Sequence, residues 1–400
     1  MAKLHICKAR RLYFSNGMRY RKLKADRLFD GKRFLKDFIL IVDEGGTVAD
    51  LLPEDLAGDA IETYSGILTP GFINCHCHLE LSHLKNVIPP HTGLVAFLLS
   101  VMRNRSQVET GKQEQIQWAE REMWQAGIAA VADICNTTDA LQTKRKSNIY
   151  WHNLVELINL RDENLQGSMG RCQNVLQQHQ DSGLAAVLAP HAPYSISAST
   201  FAELNKQTAG KTISIHNQES PAENELFQKG SGDFLKLYAA LGNGGSPFGI
   251  TGKSSLRTWL PHFTNGQTLL LVHNTFIGEE DIQFAQAHAQ QHGLNIIYCL
   301  CPNANLYIEN SLPPVHLLLK HNCHVVLGTD SYSSNWQLSI AAEMQTLHQR
   351  LQVPLETLIT WATSNGARAL GLNNLGSFDK GTKPGVVLLN ETDFSVQRII

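Results

Sequence analysis

Gly71-Phe72-Ile73-Asn74-Cys75-His76-Cys77-His78-Leu79-Glu80-Leu81-Ser82-His83 is an apolar run that ends in His-x-His. Side chains alternate along a β-strand, so His76 and His78 share one face while Cys75 and Cys77 take the other. Two imidazoles on one face can share a metal ion. A zinc site built on the two cysteines is the rival reading, but adjacent strand positions cannot converge on one tetrahedral ion without a sharp bend. A third reading, two ordinary strand histidines, is weighed by what lies downstream.

Downstream the pattern is strand, loop, helix, repeated. Strand-like runs fall at 71–78, 128–134, 149–158, 184–189, 212–216, 269–273, 294–300 and 324–329, with helical text between them at 93–102, 113–125 and 281–292 and a last helix at 355–370. Alternating strands and helices give a parallel sheet, and eight such units are the number that closes a TIM barrel. The expected fold class is therefore α/β, a (β/α)8 barrel over residues 67–375. Short strands at 22–28 and 38–42, separated by turns, form an early β unit, and the strand at 386–389 has no place in a closed barrel. Segments 18–66 and 376–400 are accordingly expected to make one small composite β domain from both chain ends. Residues 1–17 carry basic residues but neither the apolar region nor the small-residue cleavage site of a secretory signal, and alternation starts only after them. They are expected to be an N-terminal extension outside the fold. The longest irregular insertion, 229–263, has the length of a functional lid.

The charge balance excludes several partner classes. In 400 residues, 34 Lys plus Arg face 36 Asp plus Glu, so there is no basic field for nucleic acid or for a membrane surface, and no apolar run approaches a membrane span. A small-molecule substrate is expected, and a homodimer is left open. Eight cysteines without a framework spacing fit free thiols in a reducing, cytoplasmic compartment.

In a barrel the residues that end the strands gather at one rim. Here they are His76 and His78, His191, His216, His273 and Asp330, nearly all metal-ligand types. Histidine with carboxylate suits zinc, or iron of similar ligand taste, and disfavours calcium and magnesium. Glu219 follows His216 by three residues, so the loop that delivers a ligand also delivers a carboxylate able to move protons.

These residues resemble the amidohydrolase superfamily, in the branch of cytosine, guanine and nucleoside deaminases and triazine chlorohydrolases. The likeness runs through Gly71-Phe72-Ile73-Asn74-x-His76-x-His78, His216-x-x-Glu219, Leu271-Val272-His273, and Leu327-Gly328-Thr329-Asp330-Ser331 with Asn335 and Glu343. Pro190-His191-Ala192-Pro193-Tyr194-Ser195 and Cys301-Pro302-Asn303-Ala304-Asn305 are similar to substrate-side loops of that family. Lys383-Pro384-Gly385-Val386 departs from the Ala-Asp that many relatives carry before the final strand. The resemblance implies one divalent metal per chain, zinc with iron as the alternative, held by His76, His78, His216 and Asp330. Glu219, His273 and Asp330 would be catalytic, with Glu80, His191 and Asn305 touching substrate. A water activated by the metal would attack an sp² carbon of a nitrogen heterocycle or nucleoside-like compound, and ammonia would leave. Hydrolysis of a cyclic amide or displacement of chloride would use the same parts, and a catalytically inactive metal-binding barrel would keep the ligands without needing Glu219. Strands three and four contain no lysine to bridge a second metal, so Glu156 is the one acidic residue there that could.

Overall fold

The computed structural model describes residues 13–15, 18–106 and 111–400. Among them the chain separates into two compact units, one from residues up to 73 with 122–130 and 339–400, the other from 74–121 and 131–338.

The first unit is built on one sheet. Its strands run in the order Val396–Arg398, Val386–Leu389, Glu62–Pro70, Met18–Phe29, Phe38–Asp43, Val48–Pro53. Val386–Leu389 pairs antiparallel with Glu62–Pro70, which itself lies parallel to Met18–Phe29, so both chain ends supply neighbouring strands. Leu23, Leu40, Leu68, Phe378 and Val386 bury together on it. Most of the expected extension over 1–17 falls outside the described residues, but Tyr13–Ser15 forms a short strand antiparallel to the start of Met18–Phe29.

The barrel strands are Phe72–Cys77, Ile128–Cys135, Tyr150–Leu157, Ala186–Pro190, Thr212–Asn217, Thr268–His273, Asn295–Leu300 and His324–Leu327. Each lies within a residue or two of its expected place, because parallel strands covered on both faces read as unbroken apolar runs bounded by turn residues. They form two parallel four-stranded sheets, strands one to four and strands five to eight. Helix signals match the intervening elements. Ser197 accepts the Thr200 N–H at the start of Ala198–Gln207, and Glu279–His292 opens with Glu279, Glu280 and Asp281 and closes on Gly293 at φ 65°.

Two seams join the half-sheets into the (β/α)8 barrel. At one, the His76 carbonyl accepts the N–H groups of both Thr329 and Asp330 at 3.0 Å, and Cys77 bridges to Asp330. Asn74 clasps the same place: its Oδ1 accepts the Thr329 N–H at 3.1 Å and its Nδ2 donates to Thr329 Oγ1 at 2.8 Å. At the other, the His216 N–H donates to the His191 carbonyl at 3.0 Å. Gly328 is required beside the first seam, since a Cβ there would lie 2.8 Å from His76 Cβ and 3.0 Å from the sulfurs of Cys299 and Cys301. Gly328→Ala is expected to cost about 1–3 kcal/mol in denaturant unfolding by overpacking. Unchanged stability would mean that the seam yields more readily than this packing implies.

Candidate metal centre

The first strand carries His76 and His78 to the rim on one face, while Cys75 and Cys77 are buried on the other and burial pushes both thiols well above their usual range. Among the described residues the cysteines join no group able to hold a metal, whereas His76, His78 and His216 do. His76 Nε2 lies 3.2 Å from His78 Nε2, and Asp330 Oδ1 lies 3.5 Å and 3.4 Å from these two nitrogens. A tetrahedral ion with bonds of about 2.0–2.1 Å separates its ligands by about 3.3–3.4 Å. Those three edges therefore fit a zinc-sized ion. His216 Nδ1 donates to the His191 carbonyl at 2.7 Å, which leaves its Nε2 lone pair for the same ion.

Asp330 holds this position at a positive φ of 57°, and Ser334 Oγ donates to its Oδ2 at 2.6 Å while Oδ1 takes its place among the histidines. Gln218, His273 and Asn274 also have positive φ, at 45°, 74° and 56°. Such backbone costs of order 1–3 kcal/mol per residue for a side chain like histidine, and it persists where neighbours fix it. Here it turns the chain abruptly at three strand ends.

Glu219 stands beside this cage, with its Oε1 3.5 Å from His273 Nε2. Its loop is clamped by Glu223, whose two carboxylate oxygens accept the N–H groups of Gln218 at 3.0 Å and Glu219 at 3.1 Å. His273 Nδ1 donates to Asn305 Oδ1 at 2.8 Å, and Asn305 Nδ2 donates to Thr275 Oγ1 at 2.7 Å. The amide is thereby oriented, the proton sits on Nδ1, and His273 Nε2 faces the cavity as an acceptor.

Burial sets the charges. It holds His78 down to about 3 and His191 and His273 to about 4, and drives His216 well below the usual range. It raises Glu156 to about 7, and with the Asp330 and Glu223 charges it lifts Glu219 well above ordinary carboxyls. For Asp330 burial also opposes ionisation, yet its bond to His76 and the nearby imidazoles prevail and hold it well below the carboxylate range. Burial disfavours the charged form of His78 and His216 while Asp330 keeps its negative charge, a donor set suited to a dication.

The centre opens into a cavity of about 430 Å³. His191 lines it, as do Glu156, Tyr194, Glu219 and His273, and Leu94, Phe97, Leu98, Val101, Leu237 and Leu241 make an apolar wall. Leu237 belongs to a short helix, Phe234–Ala240, within the 229–263 insertion. Glu80 and Asn305, expected to touch substrate, do not line the cavity. Glu80 Oε2 accepts the N–H groups of Asn136 at 3.2 Å and Thr137 at 3.0 Å and the Thr137 hydroxyl at 2.9 Å, and its Oε1 takes Arg105 at 3.3 Å. It pins the loop after the second strand, whereas Asn305 sits behind His273.

The amidohydrolase family model matches residues 67–399. The chain belongs to the amidohydrolase family. Among curated relatives, the aminodeoxyfutalosine deaminase of Nitratiruptor sp. is 26% identical over 319 residues, covering 77% of this chain and 75% of that protein. The 5'-deoxyadenosine deaminase of Methanosphaera stadtmanae is 23% identical over 378 residues, covering 89% and 81%. Among solved structures, the Helicobacter pylori aminofutalosine deaminase in complex with methylthio-coformycin superposes with a TM-score of 0.79 at 21% identity, covering 94% of this chain and 93% of that one.

Within this amidohydrolase, Glu223, Ser334 and Asn136 are among the polar residues of the site that lie outside the sequence motifs. Glu223 had a signal, since Ser220-Pro221-Ala222-Glu223 has capping-box spacing. Asn305→Ala is expected to lower kcat about 10- to 100-fold through loss of the His273 tautomer, with KM and metal content little changed. Equal loss in kcat and in bound metal would place Asn305 in the structural support of the cage instead.

Proposed function

We propose that this chain is a zinc-dependent aminohydrolase that replaces the amine of an adenine-type nucleoside by a carbonyl and releases ammonia. The observation that carries the proposal is the Glu219 and His273 pair beside the cage. A proton-moving carboxyl and an acceptor nitrogen lie 3.5 Å apart at the head of a cavity whose far wall is apolar. His76, His78, His216 and Asp330 would hold the ion. A zinc ion there supplies a lowered pKa to water and a positive charge against the oxygen that develops on the attacked carbon. His273, with its proton fixed on Nδ1, accepts a hydrogen bond from the attacking water through Nε2 and so orients it. Glu219, whose carboxyl is held well above the ordinary range by burial, gives its proton to the ring nitrogen beside the attacked carbon, takes one from the attacking water and passes it to the departing amine. The atoms balance as amine plus water giving carbonyl plus ammonia.

The apolar wall, with Arg105 lining the same cavity but paired to Glu80, accommodates an apolar substituent at the nucleoside 5′ position, in line with a 5'-deoxyadenosine deaminase among the relatives. One ion per chain is proposed. Glu156 lies 3.9 Å from His216 on its Nδ1, the nitrogen already committed to the His191 carbonyl, so it does not reach the cage as a bridge. All seven described cysteines are free thiols, in keeping with a cytoplasmic address.

Zinc-loaded protein is expected to release ammonia from adenosine or 5'-deoxyadenosine in step with loss of the adenine chromophore. Silence on nucleosides together with turnover of a cyclic amide or a chlorinated triazine would favour the other hydrolytic reading. Glu219→Gln is expected to retain zinc and lose about 10²- to 10⁴-fold in kcat. More than half of the normal kcat in that variant would remove Glu219 from the proton path. Titration of the metal-free protein should show a single tight equivalent of zinc, and two tight equivalents with one lost in Glu156→Ala would overturn the one-ion proposal.

A further inference from the structure

Glu156, one residue before the end of the third strand, is 5% exposed and lines the cavity without belonging to the cage. Its Oε2 accepts Asn136 Nδ2 at 2.9 Å, whereas its Oε1 accepts no hydrogen bond from any described residue. A buried carboxylate oxygen left without a donor costs free energy, and it is retained where a ligand supplies the donor. His191 presents a second acceptor beside it. Its Nδ1 lies 2.7 Å from Ser195 Oγ, and the Ser195 hydroxyl hydrogen goes to the Ala192 carbonyl at 2.9 Å. The His191 proton therefore lies on Nδ1, and Nε2 carries a lone pair.

Two acceptors close together suggest a cation first, and Glu156, His191 and His216 do bring ligand atoms within 4.8 Å of one another. The third member is not available, because the His216 Nδ1 hydrogen is committed to the His191 carbonyl and its Nε2 belongs to the cage. Two ligands fall short of the three that even an open catalytic zinc site requires. The pair is better matched to hydrogen-bond donors on an organic ligand.

Which donors these are follows from the chemistry of the substrate, and this step rests on the nucleoside reading above. An adenine ring substituted on its sugar-bearing nitrogen offers only acceptor nitrogens and C–H edges, apart from the amine that departs next to Glu219. The remaining donors are the ribose hydroxyls. We propose that Glu156, with His191 beside it, accepts the vicinal 2′- and 3′-hydroxyls of the substrate ribose and is the residue that makes the enzyme select a ribonucleoside. Asn136 positions the carboxylate: its backbone N–H is tied to Glu80 and its side chain donates to Glu156. The 5′ substituent then faces the wall of Leu94, Phe97, Leu98, Leu237 and Leu241.

The test compares adenosine, 2′,3′-dideoxyadenosine and free adenine as substrates of zinc-loaded wild type, Glu156→Gln and Asn136→Ala. Gln keeps the shape and turns an acceptor into a donor. Wild type is expected to lose about 10- to 100-fold in kcat/KM on the dideoxy compound, as for a site built to hydrogen-bond hydroxyls that are then missing, and Glu156→Gln to shrink that ratio to within about threefold. Zinc content should stay the same, and Asn136→Ala should reduce the ratio too. Should the Gln variant fail to fold, the Asn136→Ala ratio decides, and a ratio equal to wild type overturns the proposal. It is also overturned by an undiminished ratio in folded Glu156→Gln, by loss of zinc in that variant, or by a wild type indifferent to the hydroxyls. Deamination of both nucleosides alike removes this inference and leaves the nucleoside reading standing, whereas deamination of free adenine alone removes both.

Discussion

The carbonyl of His76 accepts the N–H groups of Thr329 and Asp330, and through that contact the last barrel strand meets the first. The same two strands deliver His76, His78 and Asp330 to one another at 3.2–3.5 Å. At the opposite seam His216 donates its backbone N–H to His191, and its ring Nδ1 donates to that same carbonyl. The residues that close the barrel are thus the residues that would hold the ion. Strand pairing sets the cage, and an ion bound there would tie together edges that are otherwise joined by a few hydrogen bonds.

Around that cage the protein keeps charge low. Burial lowers the His78 and His216 imidazoles and raises the Glu219 carboxyl, while Asp330 is held low through its contact with His76 and the other histidines. A dication would enter a site whose one anionic ligand is Asp330, which leaves it electrophilic towards water. Glu223 and Asn305 add no charge to the cavity and serve as fixtures, one for the loop of Glu219 and the other for the ring of His273.

Much of this was legible in the sequence because it rests on local periodicity. The alternation of Asn74, His76 and His78 along one strand, the three-residue step from His216 to Glu219, and eight apolar runs, three of them ending in histidine, all follow from short-range geometry. What the sequence did not disclose depends on which loops become neighbours. Glu80 sits two residues beyond His78, yet a buried turn aims its carboxylate at Asn136 and Thr137 on another loop. Asn305 follows the seventh strand as a substrate contact would, but His273, turned by its positive φ, claims its amide. Glu156 drew notice only as a bridging ligand, and its separation from the cage becomes visible once the tautomer of His216 is fixed by a backbone carbonyl 25 residues away. Tyr13–Ser15 pairs at the edge of the small sheet although the alternation read from the sequence begins after it.

The claim that barrel closure and metal binding are one interaction is open to direct measurement by amide hydrogen exchange, comparing the metal-free and zinc-loaded protein residue by residue. Zinc should slow exchange most at Thr329, Asp330 and His216, whose N–H groups cross the seams, and much less at strand interiors such as Leu270 and Leu271. Protection spread evenly over all eight strands, or seam amides that ignore the metal, would contradict the account.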